Sequence, residues 1–289
     1  MNAADCTESQ VDIPVAALRL HCRIIRPTST PVARLLIVHG YGEHAGRYLR
    51  FMRFMAGHGI VCEAIDLRGH GRSSGRRGFV RQWDEYLDDA KAFLQWSRDQ
   101  AQPGENLPVF LLGHSHGGLI SAAAGERGIL REAKIAGCIL ASPYLATCVP
   151  PPAAKRIFAH AADKVVPWLC VKSNLRPEWL TSDPAMLEED KADVLMNHSA
   201  TPRWFLTMRL AQARVVEEAP RFTLPFLCLT GDADRIADPA IAADFYERSG
   251  SADKSLYTYP ARLHELLREV DHQTVSRDIL QWIKARSRT

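Results

Sequence analysis

Short, largely apolar runs recur at residues 35–38, 60–65, 109–112, 135–140, 226–229 and 255–259, each stopping at or just before a turn-forming or polar residue. Uninterrupted runs of this length suit strands buried on both faces, as in a parallel sheet covered by helices. Between them Trp83, Tyr86, Leu87, Ala90, Phe93 and Leu94 fall three and four apart, which puts one apolar stripe on a helix. Val275, Ile279, Trp282 and Ile283 repeat the pattern near the end. Strand and helix in alternation predict an α/β fold with a mostly parallel sheet flanked by helices and right-handed crossovers. An antiparallel hairpin is expected around residues 18–25. The alternation breaks at residues 143–222, where Val149-Pro150-Pro151-Pro152 leads into helix-like segments. A compact domain does not hold so long a structureless loop. The expected organisation is therefore a core of residues 1–142 and 223–289 with a helical cap inserted at 143–222.

Composition narrows the function. At 289 residues the chain has room for a sizeable core, and 46% hydrophobic with 24% charged residues is ordinary for a soluble globular protein. No apolar run approaches the roughly 20 residues of a membrane-spanning helix, and the first residues lack a secretory pattern. The expected compartment is the cytoplasm. A net charge of +3 is too small a footprint for nucleic acid, which is excluded as a partner. The seven cysteines sit mostly in apolar strings without zinc-ligand or C-x-x-C spacing, so no metal and no thiol chemistry are expected.

Gly113-His114-Ser115-His116-Gly117 matches G-x-S-x-G, the tight strand-to-helix turn that lifts a serine hydroxyl above a sheet. Gly71-Arg72-Ser73-Ser74-Gly75 matches too, but it has loop on both sides, whereas Ser115 follows a strand-like run and precedes a strong helix former. Ser115 is the candidate nucleophile; a helix N-cap is the bland alternative. A serine hydroxyl needs a base, and an imidazole serves when a carboxylate fixes its tautomer. With this turn the chain order is Ser, then acid, then His, each past a strand end. Asp232, Asp234 and Asp238 follow the 226–229 run, and His264 follows the 255–259 run. His264 is favoured over His272, which lies at the start of the last helix. Asp238 precedes Pro239, as a helix start does, so Asp234 is preferred, with Asp232 as the alternative. Ester or amide cleavage also needs donors for the developing oxyanion. The backbone N–H groups of His116 and of Tyr41, in His39-Gly40-Tyr41-Gly42-Glu43, are the candidates. Arg68, Arg72, Arg76, Arg77 and Arg81 form a basic loop, either a solvated charge run or a surface for phosphate head groups.

The runs His39 to His44 with Gly46-Arg47-Tyr48, Asp66 to Ser73, Gly113 to Gly118 and Gly231 to Asp238 together resemble the monoacylglycerol lipase and lysophospholipase branch of the α/β-hydrolases. The likeness runs from about residue 15 to the end. It implies a helical cap over an acyl-chain tunnel, the acid at Asp234, the base at His264 and oxyanion donors at Tyr41 and His116. It also implies that Glu43 and Arg47 bind the substrate's glycerol. The sequence departs from the pattern at His116, where methionine is usual, and at Leu267, where a head-group histidine is expected. The implied activity is hydrolysis of monoacylglycerol-like or lysophospholipid-like esters through an acyl-enzyme, without cofactor. The lipid or ester substrate is the expected partner, with transient membrane-surface contact through the cap. Apolar cap residues such as Ile157, Phe158, Val165, Trp168, Leu169, Trp204 and Met208 are expected to pack in the cap or line the tunnel. A short-chain carboxylesterase and an aminopeptidase or amidase share the triad; an inward Glu188 or Glu189 would favour the peptidase. A binding module without chemistry is the non-enzyme rival.

Overall fold

The computed structural model describes residues 6–100, 106–173 and 175–287. Strands β1 (Cys6–Val15) and β2 (Leu18–Pro27) form an antiparallel hairpin, longer than the one expected at 18–25. Then follow β3 (Ala33–Val38), helix α1 (Leu49–Ala56), β4 (Ile60–Ile65), α2 (Asp84–Asp99), β5 (Val109–His114), α3 (His116–Glu126), the short α4 (Ile129–Glu132) and β6 (Gly137–Ala141). The inserted segment carries α5 (Ala153–Val165), β7 (Val171–Lys172), α6 (Pro184–Ala192), β8 (Ser199–Ala200) and α7 (Pro202–Glu218). The chain closes with β9 (Phe226–Gly231), α8 (Pro239–Arg248), β10 (Lys254–Tyr259) and α9 (His272–Arg286).

Eight strands form one sheet in the order β1-β2-β4-β3-β5-β6-β9-β10, parallel from β4 onward. This is the mostly parallel, helix-flanked sheet that the buried runs implied, and the α/β-hydrolase arrangement that the resemblance implied. Because strand side chains alternate between faces, Leu36 and Val38 join the core under α2, α3 and α7, while Leu35 and Ile37 join the one under α1 and α9. β10 departs from the expectation. Its side chains are half-buried or exposed except Tyr259, because it is the edge of the sheet with a partner on one side alone.

Residues 143–222 are largely helical, with one small antiparallel pair, β7 and β8, that the sequence did not suggest. On α7, Trp204, Met208, Ala211 and Val215 belong to the same buried cluster as α2 and α3, so this segment shares the main core. Ile157, Phe158, Val165, Trp168 and Leu169 correct the expectation of packing within this segment: they are exposed.

Candidate active site

The turn from β5 into α3 places Ser115 at φ 51° and ψ −112°, a strained conformation for a residue with a side chain. Its neighbours make the turn close enough to need glycines. A methyl group on Gly117 would run into Val38 O, and one on Gly113 into Gly117 O. Ser115 N donates to Ala141 O at 2.9 Å, and Ser115 O accepts from Leu119 N and Tyr144 N at 3.0 and 2.9 Å. Strand β6 and the loop after it thus over-determine the strained residue.

Asp234 enters from the turn after β9 and His264 from the loop after β10. His264 Nε2 lies 2.8 Å from Ser115 Oγ and Nδ1 lies 2.7 Å from Asp234 Oδ2. The serine hydroxyl can donate only to a bare Nε2, so the proton belongs on Nδ1, facing the carboxylate. The other oxygen of Asp234 accepts from Ile236 N at 2.7 Å and Ala237 N at 3.1 Å, which fixes the carboxylate plane. All three residues are buried. The neighbouring acids do other things. Asp232 accepts from Ala261 N at 2.6 Å, tying the β9 turn to the loop after β10, and Asp238 caps α8 through Ala240 N at 2.9 Å. His272 sits at the start of α9 with Nδ1 3.0 Å from Glu269 O.

The second serine match is structural. Ser73 Oγ donates to Asp66 O and accepts from His21 N. Asp66 organises that loop, accepting from Ala45 N at 2.6 Å and Arg72 N at 2.7 Å. In the basic loop Arg68 is paired with Asp89 at 2.6 Å, Arg81 with Glu85 at 2.8 Å, and Arg76 lies over the Trp168 ring.

Tyr41 follows β3, and its turn abuts Ser115: a methyl on Gly40 would fall 3.1 Å from Ser115 Cβ. The Tyr41 ring stacks on Trp204 at 3.6 Å, and its hydroxyl donates to Ser199 O at 2.8 Å. His116 opens α3, where a backbone N–H has no intrahelical acceptor. Its ring is wholly buried, edge-on to Tyr41, Trp83 and Tyr86, and among the described residues neither ring nitrogen has a hydrogen-bond partner. Burial holds this imidazole well below its ordinary pKa, so it is neutral.

Glu43 and Arg47 are buried and engaged with protein groups. His114 Nδ1 lies 3.0 Å from Glu43 Oε1, an ion pair by distance without the alignment of a hydrogen bond, and Tyr48 donates to Glu43 Oε2 at 2.9 Å. Burial would raise the Glu43 pKa, but His114 and then Arg47 outweigh it and hold the carboxyl well below the usual range. Burial likewise opposes charge on His114, and Glu43 wins, raising it. Arg47 binds Asp190 on α6, and its Nη2 donates to both oxygens of Glu265 at 2.7 and 2.8 Å. A cavity beside these groups is lined by Glu43, Arg47, His114, Glu265, Leu267 and Arg268 and does not include Ser115. Sequence reading missed His114, Asp190, Glu265 and Arg268; the one local signal was that His114 and Glu265 adjoin Ser115 and His264.

The family profile described as serine aminopeptidase, S33, matches residues 29–271. The chain is 33% identical over 280 residues to the monoglyceride lipase of Homo sapiens, covering 93% of this chain and 88% of that one. It is 28% identical to the monoacylglycerol lipase of Mycolicibacterium smegmatis, covering 93% and 94%. Among solved structures, the monoacylglycerol lipase of Paleococcus ferrophilus superposes with a TM-score of 0.79 at 25% identity over 97% of this chain and 99% of that one. A monoglyceride lipase variant from Saccharomyces cerevisiae reaches 0.87 at 22% identity, covering 99% and 98%, a likeness of fold. On the strength of a profile spanning most of its length and relatives above 30% identity, the chain belongs to the serine aminopeptidase S33 family of α/β-hydrolases.

Proposed function

We propose that this ester hydrolase cleaves monoacylglycerol-like or lysophospholipid-like fatty acyl esters through an acyl-enzyme on Ser115. The observation that carries the reading is His264 standing 2.8 Å from Ser115 Oγ and 2.7 Å from Asp234. His264 Nε2 takes the hydroxyl proton as Ser115 Oγ attacks the ester carbonyl carbon. The imidazolium formed is stabilised by Asp234, whose charge the Ile236 and Ala237 amides hold in place. The backbone N–H groups of Tyr41 and His116 receive the oxyanion. The intermediate collapses, the carbon–oxygen bond to the alcohol breaks, and His264 returns its proton to the departing oxygen. Water then repeats the sequence on the acyl-enzyme, releasing the fatty acid.

Relatives named monoglyceride lipase, monoacylglycerol lipase and phospholipase support the lipid class of substrate. The peptidase reading has less support. Glu188 is exposed and paired with Lys191 at 2.6 Å, and Glu189 is exposed, so neither offers an inward carboxylate to a substrate amine. Glu43 and Arg47 are assigned to head-group binding as a consequence of the family likeness. The exposed residues Ile157, Phe158, Val165, Trp168 and Leu169 of the inserted segment, with exposed Lys155, Lys164 and Lys172 nearby in sequence, are assigned to transient contact with a lipid surface. Among the described residues no helix is long and apolar enough to cross a membrane. All seven cysteines are free thiols, which suits the reducing cytoplasm to which we assign the enzyme.

The test is a chain-length series of p-nitrophenyl and glycerol monoesters assayed beside an amino-acid amide. Medium- or long-chain esters are expected to be cleaved, and Ser115→Ala to abolish turnover. Turnover that survives Ser115→Ala, or a preference for the amide, would overturn the proposal.

A further inference from the structure

Helix α6 is held to the core by charge rather than by an apolar face, since its buried residue is Asp190. Asp190 bridges two arginines: it accepts from Arg47, and from Arg268 at 2.6 Å. Glu265 bridges the same two, at 2.7 Å from Arg47 and 3.0 Å from Arg268. Arg47, Glu265, Arg268 and Asp190 thus close a four-membered ring of alternating sign and zero net charge, with every side chain less than a tenth exposed. The ring joins three regions: the turn after β3, the loop after β10 and the inserted segment.

One corner of this ring, Glu265, is the residue after His264. Its backbone N–H donates to Leu180 O at 2.7 Å, and Thr181 Oγ1 donates to Arg268 O at 2.9 Å, so residues 180–190 hold the loop by main chain as well as side chain. His114 closes the other side, with Nε2 3.4 Å from His264 O. An imidazole that must reach a hydroxyl and a carboxylate at once tolerates little drift, because small misplacements cost large factors in rate. Desolvated charges tolerate little drift either, as the attraction that offsets their burial depends on good geometry.

We propose that Asp190, through Arg268 and Glu265, is a positioning residue that fixes the His264 loop, so that seating of α6 and alignment of the general base are one event. This rests on the triad reading above. Displacing α6 would leave two arginines short of a carboxylate and free the loop that carries the base.

Asp190→Asn removes one charge while keeping the shape. On a soluble ester such as p-nitrophenyl butyrate, kcat is expected to fall about tenfold or more with KM within about threefold, the pattern of a group acting on the transition state alone. Phosphonate labelling of Ser115 should slow in step, and Asp190→Glu should recover part of the rate. Because removing one buried charge can unfold a protein, the paired change Asp190→Leu with Arg268→Met is measured beside it. Removing acid and base together is expected to leave the melting temperature near the parent's and the rate still about tenfold down. Parental turnover in either folded variant overturns the proposal. So does loss of folding in both, since the ring would then be structural alone. Ser115→Ala keeps the two readings apart: activity there sinks the triad, whereas an inactive Ser115→Ala beside a fast Asp190→Asn sinks the ring alone.

Discussion

His116→Met tests the buried imidazole beside Ser115. The ring is fully buried, touches aromatic edges, and has no partner for either nitrogen among the described residues. Burying a polar group without a hydrogen bond costs about 1–3 kcal/mol, and methionine fills irregular apolar space without that penalty. The variant is therefore expected to gain about 1–3 kcal/mol of unfolding free energy at neutral pH. The pH dependence is sharper. Burial holds the folded His116 well below 6.5, so below that pH the unfolded chain binds a proton that the folded chain does not. A histidine depressed in this way contributes stability that is full above its unfolded pKa and drains away as pH falls. The slope is about 1.36 kcal/mol per pH unit, so each such group takes away about 2 kcal/mol between pH 7.5 and pH 5. His70, pushed down to about 3 chiefly by burial and then by His39, adds a like amount in parent and variant. Urea unfolding followed by tryptophan fluorescence at pH 7.5, 6 and 5 measures both curves. The parent should lose about 2 kcal/mol more than His116→Met over that interval. Parallel curves would refute the burial argument. Since the proposed oxyanion donor at 116 is the backbone N–H, the variant should keep its esterase rate within about threefold.

Two further outcomes follow from the same geometry. Asp234→Asn keeps an acceptor for the Ile236 and Ala237 amides but can turn an N–H toward His264, favouring the wrong tautomer; kcat on a p-nitrophenyl ester is expected to drop by about 10³–10⁴ without a change in circular dichroism. Arg68→Met leaves Asp89 buried without its 2.6 Å partner, so urea unfolding should show a loss of about 3–5 kcal/mol, and a loss below about 1 would show that the pair is not coupled.

The strained turn at Ser115 was legible because its requirements are local. Gly113 and Gly117 are where they are because a side chain at either would strike backbone a few residues or one strand away, and such constraints leave a fixed spacing in the sequence. Strand β4 was read at its true bounds because a strand buried on both faces is apolar at nearly every position, the exception being Glu63, which is buried against Arg34 at 3.2 Å. The 255–259 run misled for the same reason in reverse. Leu256 and Tyr257 look like core residues, yet whether a strand is central or at an edge depends on what lies beyond it, which composition does not encode. The 143–222 segment misled similarly: Phe158 and Trp168 are apolar enough for a core and yet are exposed.

The charged ring marks the opposite limit. Arg47 meets Asp190 across 143 positions and Glu265 across 218, so no window of sequence contains the pairing. Read singly, Asp190 is one more acid on a polar helix, Glu188-Glu189-Asp190-Lys191, and nothing distinguishes it from its exposed neighbours. What singles it out is burial against two guanidinium groups, a property of the assembled fold. The triad and the ring are both convergences of distant residues. The proposed triad could be picked out as a candidate because each member also sits past a strand end in a fixed order, whereas Asp190 has no such local marker. Candidates tied to strand ends can therefore be picked out from sequence, while the contacts that hold them still have to be found in three dimensions.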